Sequence, residues 1–315
     1  MPMCVSVVIP TCNRADILRK MLMAYSAQSG DHQTLEVLVV DDGSRDHTEA
    51  VVRQFIRESA LPLRYLKQEN LGISAARNHG IREAKGELIL FGDDDIFPGP
   101  FMVAEHVAWH NRYPEPEVGV LGHVAWAPEL HPTPFMEWSG LYGPQFNFGR
   151  FKRGMQLDFR YTYFCNTSVK MSFLQRHGVF DERFRTYGNE DLELGYRLCK
   201  NGYRLLYNPD AVGFHYKYET FEDTLRRVKK LREAWPIFSE TEAGQEMLKL
   251  LSQSRQSRKS ALKRALRLLK VSAMPLLRPL CDTHIPLPGW LYNQIFYHYV
   301  EHSSTVENSQ AENPE

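Results

Sequence analysis

The sequence predicts a doubly wound α/β fold, with a mostly parallel sheet flanked by helices and a helical C-terminal extension. Up to about residue 127, short apolar runs rich in β-branched residues alternate with longer stretches of helical periodicity, as in βαβ units. From about residue 220 only helical patterns follow. We therefore expect an α/β domain over residues 1–219, a helical extension over 220–302, and a polar tail over 303–315 that is disordered.

The first half of the α/β domain, about residues 1–127, shows each element in turn. Helical faces follow the first three strands, because apolar residues recur at three- and four-residue spacing in 17–25, 51–56 and 73–84. The predicted strands are residues 5–9, 35–40, 63–66, 88–91 and 118–125.

The second half, about residues 128–219, is less regular. Residues 128–160 contain Pro, Gly and aromatic residues without a clear period, which predicts a long irregular segment of the kind that often forms a lid. The sequence then predicts a strand over 164–170, helices over 171–177 and 191–201, and a strand over 204–207.

Composition narrows the class of protein. The 315 residues are 43% hydrophobic and 24% charged with a formal net charge of zero, which argues against a nucleic-acid partner. The five cysteines form no C-x-x-C pair, so neither a disulfide framework nor a zinc site is expected. No run stays apolar for the roughly 18 residues of a membrane span, and the start does not resemble a signal peptide. We expect a cytoplasmic protein.

Polar motifs follow the predicted strands at the points where they end. "PTCNR" (10–14) follows the first strand, "DDGS" (41–44) the second, "NLGISAARN" (70–78) the third and "GDDD" (92–95) the fourth. Ligands of open α/β sheets bind at the carboxyl ends of the strands, where these motifs should meet. "DDGS" alone is more typical of a turn with a helix N-cap, so the prediction depends on the four motifs together.

The three adjacent carboxylates of residues 93–95 require an explanation, because like charges that are partly buried destabilise one another. A divalent cation would offset their repulsion, and oxygen ligands suit Mg²⁺ or Mn²⁺ better than zinc. The alternative is a solvated acidic turn before Pro98.

The motifs in their order resemble those of the family 2 glycosyltransferases, which have the A-type (GT-A, Rossmann-like) fold and use nucleotide-activated sugars. The resemblance extends from Val5 to about His215 and leaves the C-terminal third uncovered. It is carried by "SVVIPTCNR", "LEVLVVDDGSRDHT", "NLGISAARNHGI", "GELILFGDDDIFPGP" and "GNEDLELGYRLCKNGYRLLYNPDAVGFH".

The resemblance implies a donor site in the first half, with a UDP-sugar as the expected donor and Mn²⁺ or Mg²⁺ as cofactor. Asp95 is the expected direct metal ligand, with Asp93 and His215 beside it, although a lone histidine is more often structural. Gly92 departs from the larger apolar residue usual in the family. The residues that the resemblance assigns to the nucleotide-sugar are Pro10, Thr11, Asn13, Arg14, Asp41, Asp42, Gly72, Arg77, Asp93 and Asp94.

Asp191 is the expected general base, and Glu190 before it should orient the acceptor or its loop. The pair opens a predicted helix, whose N-terminal dipoles would keep a carboxylate ionised; simple N-capping is the alternative. Inversion at the anomeric carbon is implied by the resemblance alone. A catalytically silent sugar-nucleotide binder or complex-assembly protein is the other function considered. A nucleotidyltransferase would carry a Gly-rich loop that "PTCNR" lacks.

The acceptor side is less defined by the sequence. The acceptor can be a glycan, a lipid-linked molecule or a small molecule, and Trp138 and Tyr142 either stack on its sugar rings or pack in the core. Residues 258–270 form a basic amphipathic pattern, and 288–300 are rich in aromatic residues. These segments predict either peripheral contact with the cytoplasmic face of a membrane or helices packed on the domain. Membrane contact would favour a cell-envelope polysaccharide or glycolipid product.

Overall fold

The structure is a computed structural model that describes residues 3–29, 34–256 and 274–311. Its centre is a nine-stranded mixed sheet in the order β3-β2-β1-β4-β8-β6-β9-β5, with β7 paired to β9. The strands are β1 (Val5–Thr11), β2 (Leu35–Asp42), β3 (Leu63–Gln68), β4 (Leu88–Gly92), β5 (Ile96–Pro98), β6 (Val118–Trp126), β7 (Gln156–Leu157), β8 (Asn166–Lys170) and β9 (Arg204–His215).

The first half of the sheet is parallel, as the sequence predicts. β1 pairs in parallel with β2 and β4, and β2 pairs in parallel with β3. Thr11 is the register partner of Asp41, so the loops after β1 and β2 leave the same edge of the sheet. The polar motifs after these strands therefore meet at one edge.

The second half of the sheet is mixed. β8 runs antiparallel to β4 and β6, while β6 and β9 are parallel. The sequence predicts β9 only over 204–207, but the strand continues to His215 past a register shift beside Gly122 and His123. The polar residues Asn208 and Asp210 at this irregularity interrupt the apolar pattern. His215 is consequently the last residue of β9 and the register partner of Trp126.

Helices cover both faces of the sheet. Two were not predicted: α4, whose buried face includes the polar His106 and His110 beside Met102, Val103 and Trp109, and α5, within the segment expected to be irregular. The helices are α1 (Ala15–Ser26), α2 (Thr48–Glu58), α3 (Ile73–Glu83), α4 (Met102–Arg112), α5 (Pro134–Leu141), α6 (Met171–His177), α7 (Glu190–Lys200), α8 (Phe221–Glu233), α9 (Trp235–Glu240) and α10 (Glu242–Gln256), followed by Met274–Leu277 and a final helix, Gly289–Ala311.

The apolar residues of β1 divide between two cores, as expected of a strand covered on both faces. Val7 and Ile9 pack with α1, whereas Val8 packs on the opposite face with α3. Gly80 lets α3 approach the sheet closely, since a Cβ there would lie 2.3 Å from Val8 Cγ1. This close approach positions the start of α3 at the sheet edge where the motifs meet.

The C-terminal helices pack on α5. α8 begins with a capping box between Thr220 and Asp223. The ring centroids of Trp138 and of Tyr292 in the final helix lie 5.6 Å apart, so Trp138 packs in a core. In this final helix Phe296 is buried, whereas Trp290 is 58% exposed.

Two predictions concern the C-terminal part of the chain, the disordered tail and the basic helix. The final helix continues to Ala311, through part of the tail that the sequence predicts to be disordered. The basic segment 258–270 lies outside the described residues. Within the described ranges, no helix combines the length and the apolar character required to cross a bilayer.

Candidate active site

A cavity of about 1040 Å³ opens at the edge where the strand-end motifs meet. Its lining includes residues from the loops after β1 and β4, from the start of α7 and from the end of β9. The predicted site residues among them are Pro10, Thr11, Arg14, Asp42, Gly72, Asp93, Asp94, Asp95, Glu190, Asp191 and His215.

The aspartates after β4 are tied to the loop after β1. Thr11 donates a hydrogen bond from Oγ1 to Asp94 Oδ2 at 2.7 Å. Arg14 contacts both Asp94 and Asp95, with N–O distances of 3.1 and 2.9 Å. The two loops therefore form one wall in which Arg14 offsets part of the repulsion between the neighbouring carboxylates.

Asp42, which lines the cavity, holds the loop before α3 through hydrogen bonds of its carboxylate. Its carboxylate accepts bonds from the backbone N–H groups of Leu71 and Gly72, both at 2.9 Å. Gly72 has φ of 99°, and a Cβ at this position would lie 2.3 Å from the carbonyl oxygen of Arg185. A side chain is excluded there by both conformation and space.

Arg77 joins the two halves of the cavity from beneath its floor. The side chain is 1% exposed, and it contacts Asp93 at 3.0 Å, Asp191 at 2.9 Å and Glu190 at 3.4 Å. Its guanidinium also lies 5.1 Å from the centroid of the Phe180 ring. One buried cation thus fixes the position of carboxylates that are more than 90 residues apart in sequence.

The carboxylates around Arg77 have perturbed pKa values. Burial raises the pKa of Asp191 to about 7, with the Arg77 charge opposing the shift and Glu190 adding to it. Burial also raises the pKa of Asp93 to about 6, again against the effect of Arg77. A carboxylate with a pKa near neutrality is suited to accept a proton at physiological pH.

Asp191 itself is oriented by three contacts. Arg77 donates to Oδ1, the backbone N–H of Phe164 donates to Oδ2 at 3.1 Å, and Thr162 donates to the backbone carbonyl at 2.8 Å. Each carboxylate oxygen keeps a further lone pair that can accept a hydroxyl proton. The side chain is 22% exposed and lines the cavity.

Asp95 and His215 face each other across the end of β9. Asp95 Oδ1 lies 3.7 Å from His215 Nε2, and the imidazole ring stacks on Trp126 with 5.0 Å between centroids. Burial alone would raise the pKa of Asp95, but His215 and Arg14 hold it well below its ordinary value. The ionised carboxylate and the imidazole are suitable ligands for a divalent cation.

The donor set fits a cation that is completed by another ligand. His215 Nδ1 is buried and makes no hydrogen bond to any residue that the structure describes, and Asp93 also lines the cavity. Within the described part of the chain, no three His, Cys, Asp or Glu side chains are grouped closely enough to hold a metal by themselves. The oxygens of a bound diphosphate would supply the remaining ligands.

Three predicted site residues lie away from the cavity lining. Arg77 is outside the lining, where it binds the carboxylates of Asp93, Glu190 and Asp191. Asp41 is fully buried and accepts hydrogen bonds from Tyr65 and from the backbone of Ser44. Asn13 has φ of 56° and bonds to the loop after β2, so it fixes the relation between two loops.

Other lining residues were not predicted. Arg185 and Tyr187 belong to the loop before α7, and Arg227 and Lys230 belong to α8. The run "RRVKK" in α8 resembles an ordinary solvated helix face, and nothing in this pattern indicates that it lines a cavity. Trp126 was also missed, because its importance comes from its register with His215.

Known proteins of similar sequence are enzymes of sugar transfer. A validoxylamine A glucosyltransferase of Streptomyces hygroscopicus subsp. jinggangensis is 33% identical over 243 residues, which covers 68% of this chain and 56% of that protein. A chondroitin synthase of Escherichia coli is 30% identical over 239 residues, covering 67% of this chain and 34% of that protein. The chain thus spans about half the length, or less, of these relatives.

Solved structures with the same fold confirm the GT-A prediction. A mannosyltransferase of Pyrobaculum calidifontis in complex with GDP-Man and Mn²⁺ is 20% identical, with a TM-score of 0.61, covering 96% of this chain and 87% of that chain. Residues 1–349 of S. aureus TarS in complex with UDP-GlcNAc are 18% identical, with a TM-score of 0.57, covering 97% of this chain and 92% of that chain.

The family model described as "Glycosyl transferase family 2" matches residues 6–178, which is more than half of the chain. This range contains the loops after β1, β2 and β4, which contribute residues to the cavity lining. The match, the relatives and the fold agree with the motifs quoted from the sequence. The chain belongs to glycosyl transferase family 2.

Proposed function

We propose that this protein is a metal-dependent inverting glycosyltransferase that moves a sugar from a nucleotide-sugar, a UDP-sugar in our proposal, to an acceptor hydroxyl. One observation carries the proposal: Asp93 of the donor wall and Asp191 of the opposite wall bind the same buried guanidinium, at 3.0 and 2.9 Å. A site built this way presents a donor-binding carboxylate and a candidate base to one cavity.

The donor would occupy the half of the cavity formed by the loops after β1, β2 and β4. Thr11 and Asp42 are buried polar residues on this wall, and Asp42 already holds the loop at Gly72. Nucleotides in open α/β sheets bind at this edge. The solved proteins of similar fold carry GDP-Man and UDP-GlcNAc, which supports a nucleotide-sugar without choosing the base.

The reaction requires one displacement. An acceptor hydroxyl attacks the anomeric carbon, the bond from that carbon to the diphosphate oxygen breaks, and the electron pair leaves with the nucleoside diphosphate. Asp191 accepts the hydroxyl proton, a contribution of about 10² to 10⁴ in rate for a general base. Glu190 is held by the backbone N–H of Gly188 at 2.7 Å and by Arg77, so it positions the loop before α7.

Asp95, Asp93 and His215 are the residues that would hold Mn²⁺ or Mg²⁺. When bound, such an ion offsets the negative charge that develops on the departing diphosphate. Mn²⁺ is present in the Pyrobaculum calidifontis structure, which supports a divalent ion here. Arg14, bound to Asp94 and Asp95, is placed to carry part of the same charge on the protein side.

The test is a panel of UDP-, GDP- and dTDP-sugars with Mn²⁺ or Mg²⁺, in which release of nucleoside diphosphate is measured with and without a chelator. We expect release with at least one donor and its loss in chelator. Asp191→Asn should lower turnover by about 10² to 10⁴ and leave the donor dissociation constant unchanged. Arg82→Gln, a charge change on the exposed side of α3, is the control.

Three results would contradict the proposal. Donor binding without any turnover by the unaltered protein would favour the catalytically silent binder. Full turnover by Asp191→Asn would assign the base to another residue, and full turnover in chelator would remove the metal from the mechanism.

A further inference from the structure

The cavity lining carries charges of both signs. The carboxylates of Asp42, Asp93 to Asp95, Glu190 and Asp191 line it together with Arg14. Six further cations and one further carboxylate, that of Asp223, complete the charged lining. The six are Arg160, Arg185, Lys217, Arg226, Arg227 and Lys230. We call these six cations the basic wall, which favours a negatively charged ligand.

The cations of α8 lie next to the candidate base. Leu231 packs on the loop that leads to Asp191, since a Cβ added at Gly188 would lie 3.0 Å from Leu231 Cδ2. Asn189 donates a hydrogen bond to the Leu231 carbonyl at 3.1 Å. Arg227 is four residues before Leu231 and three before Lys230, so it lies on the same side of the helix as each of them. Both cations line the cavity.

Arg227 is built into the wall and has an unused donor. Its Nε contacts the buried carboxylate of Glu219 at 3.1 Å, and its side chain is only 11% exposed. Its Nη2 is buried and makes no hydrogen bond to any described residue. A buried guanidinium nitrogen without an acceptor is uncommon, and a ligand oxygen in the cavity would satisfy it.

Lys230 and Arg185 add charge that is not neutralised locally. Among the described residues, neither has an ion-pair partner, whereas Arg160 and Arg226 are paired with Asp158 and Asp223. The cavity, at about 1040 Å³, lies at the upper end of the volumes of single-ligand sites, roughly 300–1,000 Å³. This leaves room for an acceptor beside the donor.

We propose that Arg227, Lys230 and Arg185 form a subsite for an anionic group of the acceptor, a phosphate or a carboxylate close to the hydroxyl that is glycosylated. This inference rests on the proposed function, because it takes Asp191 as the base and places the acceptor beside it. The donor diphosphate would contact the opposite wall, at Arg14 and the aspartates after β4.

Matched acceptors test the subsite. Glucose, glucose 6-phosphate and glucuronic acid are offered to the protein with its active donor, and the KM of each is measured. We expect both charged sugars to have a lower KM than glucose; a lower KM for only one identifies phosphate or carboxylate as the group recognised. Lys230→Gln should raise the KM of the charged sugars about fivefold, the effect of one exposed ion pair, and leave that of glucose unchanged.

Variants separate a subsite from a structural role. Arg227→Lys keeps a positive charge beside Glu219 but loses the planar guanidinium with its paired N–H donors. It should therefore raise the KM of the charged acceptors while the protein stays folded. Lys249→Gln on α10, an exposed lysine paired with Glu246, is the control and should change no KM. Donor affinity should be equal in all variants. If Lys230→Gln weakens donor binding by the same factor by which it raises the KM of the charged acceptors, the proposal is overturned and these cations are assigned to the donor diphosphate.

A binding experiment keeps this test independent of turnover. Inorganic phosphate is titrated into the protein saturated with UDP or GDP and Mn²⁺, and its dissociation constant should rise about fivefold in Lys230→Gln. Turnover with neutral acceptors alone, together with phosphate binding that the variant does not alter, would overturn the subsite and leave the glycosyltransferase assignment intact. Absence of turnover with every donor would contradict the proposed function instead.

Discussion

Replacement of Arg77 by Met is the most direct test of how the two halves of the cavity are held together. The substitution removes one buried charge and leaves the carboxylates of Asp93, Glu190 and Asp191 without their shared partner. Loss of one member of a buried ion pair costs about 3–5 kcal/mol. We expect a fall of this size in the free energy of unfolding, measured by urea denaturation near neutral pH.

The stability deficit of Arg77→Met, meaning the loss in its free energy of unfolding, should increase with pH. Burial raises the pKa of Asp191 in the folded protein to about 7, above its value in the unfolded chain, so folding takes up a proton and stability falls as pH rises through this range. Without Arg77 the pKa of Asp191 in the folded protein is higher still, so the free energy of unfolding continues to fall up to a higher pH. The deficit should therefore be larger at about pH 8 than at about pH 5, by about 1.4 kcal/mol for each unit of pKa change.

Arg64→Met is the matched control. Arg64 also contacts two carboxylates, Glu36 at 3.4 Å and Glu83 at 2.8 Å, but its side chain is 32% exposed. Partly exposed pairs contribute about 0–1 kcal/mol, so this variant should unfold almost as the unaltered protein does. A deficit in Arg77→Met no larger than that in Arg64→Met, or one independent of pH, would refute the reasoning.

Three further predictions concern the same cavity. The value of kcat/KM should rise about tenfold per pH unit below about 7 and level off above it, because Asp191 must lose its proton to act as base. Gly72→Ala should lower the free energy of unfolding by about 1–3 kcal/mol, since φ is 99° and the added Cβ meets Arg185, as checked by urea denaturation. Trp126→Ala should weaken Mn²⁺ binding about 10- to 100-fold, because the ring orients His215, as checked by calorimetry with UDP present.

Each of these has a contrary result. A pH profile that is flat from about 5 to 8 would remove Asp191 from the rate-determining chemistry. A stable Gly72→Ala protein would show that the loop at Arg185 moves aside without cost. Unchanged Mn²⁺ affinity in Trp126→Ala would show that His215 keeps its position without the stacked ring.

The convergence of the strand-end motifs at one cavity could be predicted from the sequence because its information is local. Each motif directly follows a strand whose apolar residues define where it ends, and parallel pairing brings these ends to one edge. The sequence alone therefore predicts that Asp42, Asp93 and Asp95 lie at one site. The structure places all three on one cavity.

The buried role of Arg77 could not be predicted in the same way. The motif "SAARN" shows an arginine among small residues, but its partners come from β4's end and α7, up to 114 residues away. Which way a long side chain extends from a helix depends on packing that the local pattern does not encode. α4 could not be predicted for a related reason, because its buried face includes two histidines. A ring nitrogen of His106 and one of His110 each lie 2.8 Å from Ser168 Oγ within the core.

The basic wall is the other feature that only tertiary packing reveals. In the sequence, Arg227 and Lys230 belong to a charged run that resembles a solvated face. Packing of Leu231 against Gly188 turns this run toward the cavity. No local pattern predicts this contact, because it joins segments that are far apart in sequence.

Mn²⁺ binding with and without nucleoside diphosphate tests the central claim most directly, namely that the carboxylates after β4 hold a cation together with a pyrophosphate. The described residues provide no complete site of their own, so Mn²⁺ should bind weakly to the protein alone and much more tightly with UDP or GDP present. Asp95→Ala should remove the increase. Equal Mn²⁺ affinity in Asp95→Ala and the unaltered protein, with diphosphate present, would contradict the account.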